Sequence, residues 1–163
     1  MKNNPNNILK KIQEETIKNT EAALKYMASY NIVPEGKIEL FRSPDTRQRT
    51  IDIIPYTHKL KQLVSYTTEP GEFSAQCPFS GLPDYGTVKI TYVPEKCYLE
   101  LKSLKYYFMS FRNIGASQED ITAYIFSDIS KSLKNPKNLT VESIYNVRGG
   151  INTECRISSK DQK

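Results

Sequence analysis

Histidine, tryptophan and cysteine are scarce in this sequence. Its 163 residues include one histidine, His58, no tryptophan, and three cysteines, Cys77, Cys97 and Cys155. A zinc site needs three or four nitrogen, sulfur or oxygen ligands, and neither a Cys-x-x-Cys pair nor a second histidine is present to supply them. The odd number and wide spacing of the cysteines do not indicate a disulfide framework. We therefore expect no metal site, and reduced thiols as in a cytoplasmic protein.

Long apolar segments and runs of one charge are lacking too. No segment has the roughly 20 apolar residues of a membrane-spanning helix, and the first residues lack the apolar core of a signal peptide. We therefore expect no membrane contact. Lys and Arg number 23 against 18 Asp and Glu, a net charge of +5, but they are scattered. The scatter favours a solvated surface over a phosphorylated ligand, and least of all a direct nucleic-acid partner.

A Gly-x-Gly-x-x-Gly loop is also absent. Such a loop approaches the pyrophosphate of a dinucleotide at the start of a Rossmann helix. Any nicotinamide cofactor of this chain must therefore bind outside a Rossmann fold.

Hydrophobic periodicity and turn residues predict the secondary structure. An amphipathic helix is expected over about residues 7–30, and a loop rich in proline and glycine over 77–86. The spacing also predicts a strand at 62–68, strands at 87–93 and 97–101, helices at 102–112 and about 117–133, and a final hairpin at 139–147 and 151–157.

From residue 87 onward, the order strand, strand, helix, helix, strand, strand indicates an α+β domain with an antiparallel sheet and helices on one face. We expect one catalytic domain at 61–163, preceded by an N-terminal helix and extension at 1–60. Such a small sheet leaves open edges, which favours assembly of several copies through the sheet.

The first candidate site is the loop Cys77-Pro-Phe-Ser-Gly-Leu-Pro-Asp84. A thiolate is a strong nucleophile, and an aspartate seven positions later can hold or deliver a proton. The alternative interpretation is a buried cysteine followed by an ordinary Pro-Asp turn.

Two more candidates lie on the predicted helices. Glu100-Leu-Lys-Ser-Leu-Lys-Tyr-Tyr107 carries two lysines three positions apart on one helix face, where they can bind phosphates. Its alternative is a solvated helix with a capping glutamate. In Gln118-Glu119 the carboxylate can accept two hydrogen bonds from a guanine-like edge. Its alternative is a helix start capped by Ser117, with Asp120 in the first turn.

Taken together, these segments resemble a known family. The segments are Cys-Pro-x-Ser-Gly-x-Pro-Asp at 77–84, Glu-x-Lys-Ser-x-Lys-Tyr-Tyr at 100–107, Phe-Arg-Asn at 111–113, Glu119 and Arg-Gly-Gly-Ile at 148–151. In this combination they are similar to the NADPH-dependent 7-cyano-7-deazaguanine reductases of queuosine biosynthesis, in their short single-module type. The resemblance covers about residues 62–157. It implies a tunnelling fold, in which antiparallel sheets of several subunits join into a barrel, with active sites between subunits.

The resemblance also implies roles for individual residues. Cys77 would attack the nitrile carbon and form a covalent thioimide, and Asp84 would protonate the nitrogen. Two hydrides from two NADPH molecules would then give the primary amine. The implied substrate contacts are Leu99, Glu100, Leu101, Gln118 and Glu119. The implied cofactor contacts are Lys102, Ser103, Lys105, Tyr107 and Arg148. The implied assembly is a homo-oligomer, a decamer of two stacked pentamers.

One position departs from the family pattern. Many members have histidine immediately before the substrate glutamate, where this chain has Gln118. Glutamine can form hydrogen bonds but cannot titrate, so a proton role of that histidine would fall to Asp84 and water.

Two other functions compete with nitrile reduction. Related amidinotransferases act on nitrile-bearing tRNA without NADPH, and they lack the Glu-x-Lys-Ser-x-Lys run that is present here. A module that binds a purine-like ligand without turnover would leave Cys77 as a plain buried thiol. A zinc-dependent pterin cyclohydrolase would share the fold, but a single histidine argues against its metal site.

Overall fold

The computed structural model describes residues 14, 18, 25, 47, 48 and 50–162. Of the helix predicted over about 7–30, only Glu14, Lys18 and Lys25 are described, each in helical conformation, and the rest lies outside the described residues. The strands are β1 Ile53–Pro55, β2 Val64–Thr67, β3 Phe73–Gln76, β4 Pro83–Tyr92, β5 Cys97–Leu99, β6 Thr140–Arg148 and β7 Ile151–Ser158. The helices are α1 Leu101–Met109, a 3₁₀ turn Ser110–Asn113, and α2 Gln118–Ser132.

The main sheet is antiparallel. Strands β2 and β3 both pair with β4, one along Lys89–Tyr92 and the other along Pro83–Gly86. They therefore form one edge strand that the turn at 68–72 interrupts. Strand β4 pairs with β6, and β6 with β7. A separate pair joins β1 to β5.

Both helices cover the same face of this sheet. Buried and outward side chains alternate along β4, where Val88, Ile90 and Tyr92 are buried and Lys89 is exposed. Helix α2 presents Ile121, Ile125 and Ile129 to the core at a spacing of four residues. Helix α1 adds the buried side chains Leu104, Tyr107 and Phe108. The predicted α+β architecture is thus confirmed.

Several predicted boundaries were wrong. Strand β4 begins at Pro83, four residues before the predicted strand, because β3 supplies a partner for Pro83–Gly86. Strands β1 and β3 were missed because they are short and exist only through pairing with distant segments. The strand predicted to reach residue 101 ends at Leu99, since Glu100 caps helix α1.

A segment from the N-terminal side of residue 60 packs against helix α1. The Asp52 N–H donates to Ser103 Oγ at 2.9 Å, and the Glu100 N–H donates to the Asp52 carbonyl at 2.9 Å. Arg47 forms a buried ion pair with Asp128 at 3.0 Å. The segment therefore holds the start of α1 in place, although it lies before the predicted domain boundary. Neither helix of the described part of the chain has the length and apolar character needed to cross a bilayer.

Candidate active site

Cys77 and Asp84 lie at the two ends of the loop that joins β3 to β4. The Cys77 N–H donates to the Leu82 carbonyl at 2.9 Å, and the Gly81 N–H donates to the Cys77 carbonyl at 2.9 Å. Gly81 takes a positive φ of 66°, which closes the loop without steric cost. The loop is therefore a compact turn that carries Cys77 back toward the start of β4.

Only Asp84 of these two residues lies in a regular strand. Ala75 is the Cα partner of Asp84, so their side chains share one face of the sheet. Cys77 follows the last residue of β3, Gln76, and lies in the loop. Asp84 is only 5% exposed, and Cys77 is half-buried. The hairpin loop thus carries a half-buried thiol at one end and a buried carboxyl group at the other.

Arg148 joins them from the end of β6. Its Nη2 contacts Asp84 Oδ1 and lies 3.3 Å from the Pro83 carbonyl, to which it donates. No other donor reaches that buried carboxylate oxygen among the described residues. Arg148 is also one of the groups that lower the pKa of the Cys77 thiol. The guanidinium group therefore ties the end of β6 to the start of β4, beside the Cys77 loop.

The surroundings of Cys77 favour its thiolate. Partial burial by itself would raise the pKa of the thiol. Hydrogen bonds from the Ser80 side chain, from the backbone at Phe79 and Ser80, and from the Arg148 side chain outweigh burial and lower the pKa to about 7. The pKa of Cys155 moves the other way, because burial raises it. Cys77 is thus the activated thiol of this pair.

Backbone pairing brings Gln118 and Glu119 to the same end of the sheet. Gln76, which precedes Cys77, forms a parallel bridge with Gly115, and its N–H donates to the Ile114 carbonyl at 2.9 Å. Helix α2 starts three residues after Gly115, so its first residues lie beside the Cys77 loop. Gln118 is half-buried and Glu119 is exposed.

Hydroxyl groups fix the start of α2. Ser117 Oγ accepts from the Asp120 N–H at 3.0 Å, which confirms the predicted cap. Thr122 Oγ1 donates to the Gln118 carbonyl at 2.8 Å and also bonds the Ser143 hydroxyl of β6. Because the Thr122 proton is used on Gln118, Ser143 must be the donor in the second bond. The Gln118–Glu119 turn is therefore anchored to the central strand.

The lysines of the Glu100–Tyr107 segment differ from their neighbours in exposure. Lys102 and Lys105 point into solvent on one side of α1. Ser103 and Tyr107 are buried, and the Tyr107 hydroxyl donates to Asp128 at 3.1 Å while Ser103 Oγ accepts from Asp52. In this chain Ser103 and Tyr107 are therefore hydrogen-bonded within the protein, whereas the two lysines are exposed.

Leu99 and Glu100, two of the predicted substrate residues, form hydrogen bonds within the chain. Leu99 is buried, and its N–H donates to the Tyr92 hydroxyl at 3.0 Å. The Glu100 carboxylate accepts from the Lys102 N–H at 3.0 Å and the Ser103 N–H at 2.7 Å. These two hydrogen bonds from backbone N–H groups hold the pKa of the Glu100 carboxyl group below its usual value. Leu101 remains exposed and available for contact.

Within one chain the predicted site residues fall into two groups. Cys77, Asp84, Arg148 and the Gln118–Glu119 turn converge at one end of the sheet. Over residues 50–162, no hydrogen bond or ion pair links Lys102 or Lys105 to Cys77, Asp84 or Arg148. Ser80 and Ser143 were not singled out from the sequence. Ser80 follows Cys77 by three positions in a turn, so its proximity to the thiol could have been predicted from the sequence. No local pattern in the sequence points to Ser143.

Comparison with known proteins first defines the class. A solved structure, that of the archaeosine synthase QueF-Like in the apo form, shares the fold with a TM-score of 0.51 and 21% identity, over 59% of this chain and 91% of that one. The fold is therefore that of the tunnelling-fold proteins, as the motifs predicted.

Sequence relatives then define the family. The model of the family described as QueF-like protein matches residues 83–163. The NADPH-dependent 7-cyano-7-deazaguanine reductase of Thermotoga petrophila is 44% identical over 131 residues, which are 79% of this chain and 93% of that protein. The reductase of the same name from Chlorobium luteolum is 37% identical over 112 residues, 69% of this chain and 95% of that protein. The chain belongs to this family, and the resemblance drawn from its motifs is confirmed.

Proposed function

We propose that this chain reduces the nitrile of 7-cyano-7-deazaguanine to the primary amine 7-aminomethyl-7-deazaguanine, with NADPH as reductant, in queuosine biosynthesis. One observation carries the proposal: a Cys77 thiol whose pKa is lowered to about 7 and a buried Asp84 carboxyl group lie at the two ends of one short hairpin loop. Family membership supports the choice of substrate and cofactor, since the relatives are named for both.

In the first step Cys77 acts as the nucleophile. Its thiolate forms an S–C bond to the nitrile carbon, and one electron pair of the carbon–nitrogen triple bond moves to nitrogen. Asp84 delivers a proton to that nitrogen, which gives a neutral thioimide. That proton is the one that the Cys77 thiol gives up: it passes first to the Asp84 carboxylate and then to the nitrogen, so the step balances without an external acid.

Glu119 and Gln118 would hold the deazaguanine ring. A carboxylate matches the paired N–H donors of a guanine-like edge, and Glu119 is exposed at the start of α2 beside the Cys77 loop. The anchoring of this turn by Thr122 and Ser143 keeps the ring contact in register with Cys77. Gln118 adds a hydrogen bond but no proton transfer. Leu101 and the backbone near Leu99 and Glu100 would supply the remaining substrate contact.

Lys102 and Lys105 fit the phosphates of the cofactor. Both ammonium groups are exposed on α1, and Lys105 borders a groove of about 530 Å³ between α1 and β2. Compact, solvated cations of this kind bind phosphate. When bound, NADPH supplies hydride, and two equivalents carry a nitrile to an amine.

A complete site would need more than one copy of the chain. Within the part of the chain that the structure describes, Lys102 and Lys105 are not linked to Cys77, so we propose that a second subunit brings them to it, across the open edges of the sheet. The catalytic unit would be residues 61–163, assembled as a barrel in a decamer of two pentamers. Light scattering of the purified protein is expected to give the mass of ten chains, and a monomer would contradict this arrangement.

The test of function is an absorbance assay. Wild-type protein mixed with the nitrile is expected to consume two NADPH for each amine formed. Cys77→Ala should fold normally and consume none, while Cys155→Ala serves as the matched thiol control and should keep the wild-type rate. Substantial turnover by Cys77→Ala would exclude the covalent route. Absence of turnover in the folded wild-type protein would exclude nitrile reduction.

A further inference from the structure

Tyr145 on the central strand β6 carries a buried hydroxyl group without a hydrogen-bond partner. The residue is 3% exposed and lies on the face of the sheet that the helices cover. Among the residues that the structure describes, its hydroxyl oxygen is shielded from solvent and forms no hydrogen bond. Leaving a buried polar group unpaired is unfavourable, and native proteins do so rarely. The hydroxyl group is therefore a candidate for a contact that forms when a ligand binds.

Gly86 on β4 makes room for the Tyr145 ring. The two residues are Cα partners, and a Cβ atom at position 86 would lie 3.1 Å from Tyr145 Cδ1 and 2.8 Å from the Ile144 carbonyl oxygen. Any larger residue there would have to displace the ring or the strand, which explains the glycine. Packing against β4 therefore holds the tyrosine in place, and its hydroxyl group is not needed for that.

The first turn of helix α2 lies over the part of the sheet that contains Tyr145. Gly115, three residues before the helix, is bridged to the last residue of β3. Thr122 of the helix bonds the hydroxyl group of Ser143, which precedes Tyr145 by two positions on the same face of β6. Along the strands, Tyr145 lies between these two contacts, because its partner on β4 pairs with the first residue of β3. Glu119 lies between the same two contacts along the chain, so this turn brings it over Tyr145.

Glu119 can direct its carboxylate toward the sheet. It precedes Thr122 by three positions, and residues at this spacing lie on one side of a helix. Its side chain is exposed, so it can change rotamer without displacing the core. Burial raises the pKa of the Tyr145 phenol, and the charges of Cys155 and Glu119 add to this rise. The phenol therefore keeps its proton and remains a donor.

We infer that Tyr145 is a positioning residue for the substrate, whose hydroxyl group donates to the Glu119 carboxylate when that carboxylate holds the deazaguanine ring. The inference rests on the proposed function and adds a donor behind the ring contact. A carboxylate has about four lone-pair sites, of which a guanine-like edge uses two. The hydroxyl protons of Ser143 and Thr122 are used in anchoring the helix, so Tyr145 supplies the donor that fixes the direction of the carboxylate.

Removal of the hydroxyl group alone tests the inference. Tyr145→Phe keeps the ring over Gly86 and deletes a donor that has no partner in the unliganded protein, so its melting temperature should equal or exceed that of the wild type. Nitrile binding is measured by titration calorimetry in the Cys77→Ala background, where no covalent bond forms. There Tyr145→Phe is expected to raise the Kd about tenfold, the effect of one charge-assisted hydrogen bond. An unchanged Kd would overturn the inference.

Two other tyrosines serve as matched controls. The buried Tyr92 hydroxyl accepts from the Leu99 N–H at 3.0 Å, so Tyr92→Phe should lower the melting temperature. The Tyr56 hydroxyl donates to the Leu60 carbonyl at 2.6 Å in an exposed loop, so Tyr56→Phe should leave the Kd for the nitrile unchanged. A melting temperature of Tyr145→Phe that falls as in Tyr92→Phe would show that its hydroxyl group is already bonded in the unliganded protein, which contradicts the inference.

A double-mutant cycle connects the hydroxyl group to Glu119. Glu119→Gln replaces the anionic acceptor by a neutral amide, to which a hydrogen bond is about half as strong. In that background the effect of Tyr145→Phe on the Kd should shrink to about threefold. An effect that stays about tenfold would place the contact of the hydroxyl group elsewhere and refute the inference.

Turnover separates this inference from the proposed function. If the wild type reduces the nitrile but Tyr145→Phe binds it with unchanged Kd, the inference fails and the function stands. If binding depends on Tyr145 but the wild type consumes no NADPH, nitrile reduction fails and the positioning of Glu119 stands. Absence of nitrile binding to the Cys77→Ala protein would exclude both.

Discussion

Individual residues of the hairpin loop carry the proposed chemistry. The three cysteines occupy different environments: Cys77 is half-buried with donors around its sulfur, Cys97 is buried in the core, and Cys155 is half-buried on β7. Nucleophilic reactivity of a thiol depends on its thiolate fraction and its exposure. We therefore expect Cys77 to react faster than Cys155, because hydrogen bonds to its sulfur lower the pKa of Cys77 whereas burial raises that of Cys155.

The pH dependence of alkylation should separate Cys77 from Cys155. Only the thiolate reacts, so the rate at Cys77 is expected to rise through pH 7, where its pKa lies, and to level off about one to two pH units above it. The raised pKa of Cys155 delays its reaction to more alkaline pH. Peptide mass spectrometry after timed labelling measures the alkylation rates of both cysteines in one sample. Equal rates at all three cysteines would contradict this assignment and favour a ligand-binding module.

Asp84→Asn tests the proton donor. The amide keeps the shape of the side chain but cannot transfer a proton, so kcat is expected to fall by about two to four decades. The KM for the nitrile should change little, because the ring contacts come from the start of α2. Asp161→Asn, at the exposed end of the chain, is the control and should keep wild-type kinetics. Wild-type kcat in Asp84→Asn would remove this carboxyl group from the mechanism.

At the scale of elements, helix α1 combines two tasks on opposite sides. Its inner side packs Leu104, Tyr107 and Phe108 into the core, while its outer side presents Lys102 and Lys105. Glu100 caps the helix by accepting hydrogen bonds from two backbone N–H groups, one of them that of Lys102. The Glu-x-Lys-Ser-x-Lys run therefore encodes both a helix start and a cationic surface.

Lys102→Ala and Lys105→Ala should weaken cofactor binding. Loss of one phosphate contact is expected to raise the KM for NADPH several-fold, and by no more than the roughly 10- to 150-fold that corresponds to the roughly 1.5–3 kcal/mol of a charge-assisted hydrogen bond. The KM for the nitrile should stay near its wild-type value. Lys131→Ala, an exposed lysine in the last turn of α2, is the matched control. If neither variant at 102 or 105 changes the KM for NADPH, the cofactor lies elsewhere.

At the scale of the whole molecule, a buried ion pair ties the N-terminal side of the chain to the helical layer. Arg47 and Asp128 are 6% and 4% exposed in their side chains, and Arg47 also lies 4.1 Å from the centroid of the Tyr124 ring. Asp128 accepts from Tyr107 as well. This cluster connects a segment before β1 with both helices, so it contributes to the stability of the fold as a unit.

Arg47→Met should destabilise the protein by about 3 kcal/mol, because it leaves the buried Asp128 carboxylate without its cation. Arg156→Met breaks an ion pair whose arginine is half-exposed and should cost less than about 1 kcal/mol. Denaturant unfolding of both variants at one protein concentration measures the difference. Equal midpoints for Arg47→Met and the wild type would show that the pair is not a stabilising contact.

The sequence by itself determined the elements whose signals are local. The periodicity of residues 118–132, the turn glycines 149 and 150, and the Ser117 cap each act within a few positions, so α2 and the final hairpin were predicted within one or two residues. The loop carrying Cys77 and Asp84 was also evident, because proline, glycine and the two reactive residues are close in the chain. The strand β3 that leads into this loop was not, since it depends on the pairing with β4.

Only the tertiary structure decided which distant residues meet. Arg148 reaches Pro83 across 65 positions and Arg47 reaches Asp128 across 81, and no local pattern specifies either contact. Tyr107 and Ser103 belong to a polar-looking helix segment, yet packing buries them while Lys102 and Lys105 stay outside. The physical reason is that pairing register and burial depend on the summed contacts of whole strands and helices. Local propensity therefore predicts the individual elements and residues of the site, and tertiary packing determines which of these residues lie together.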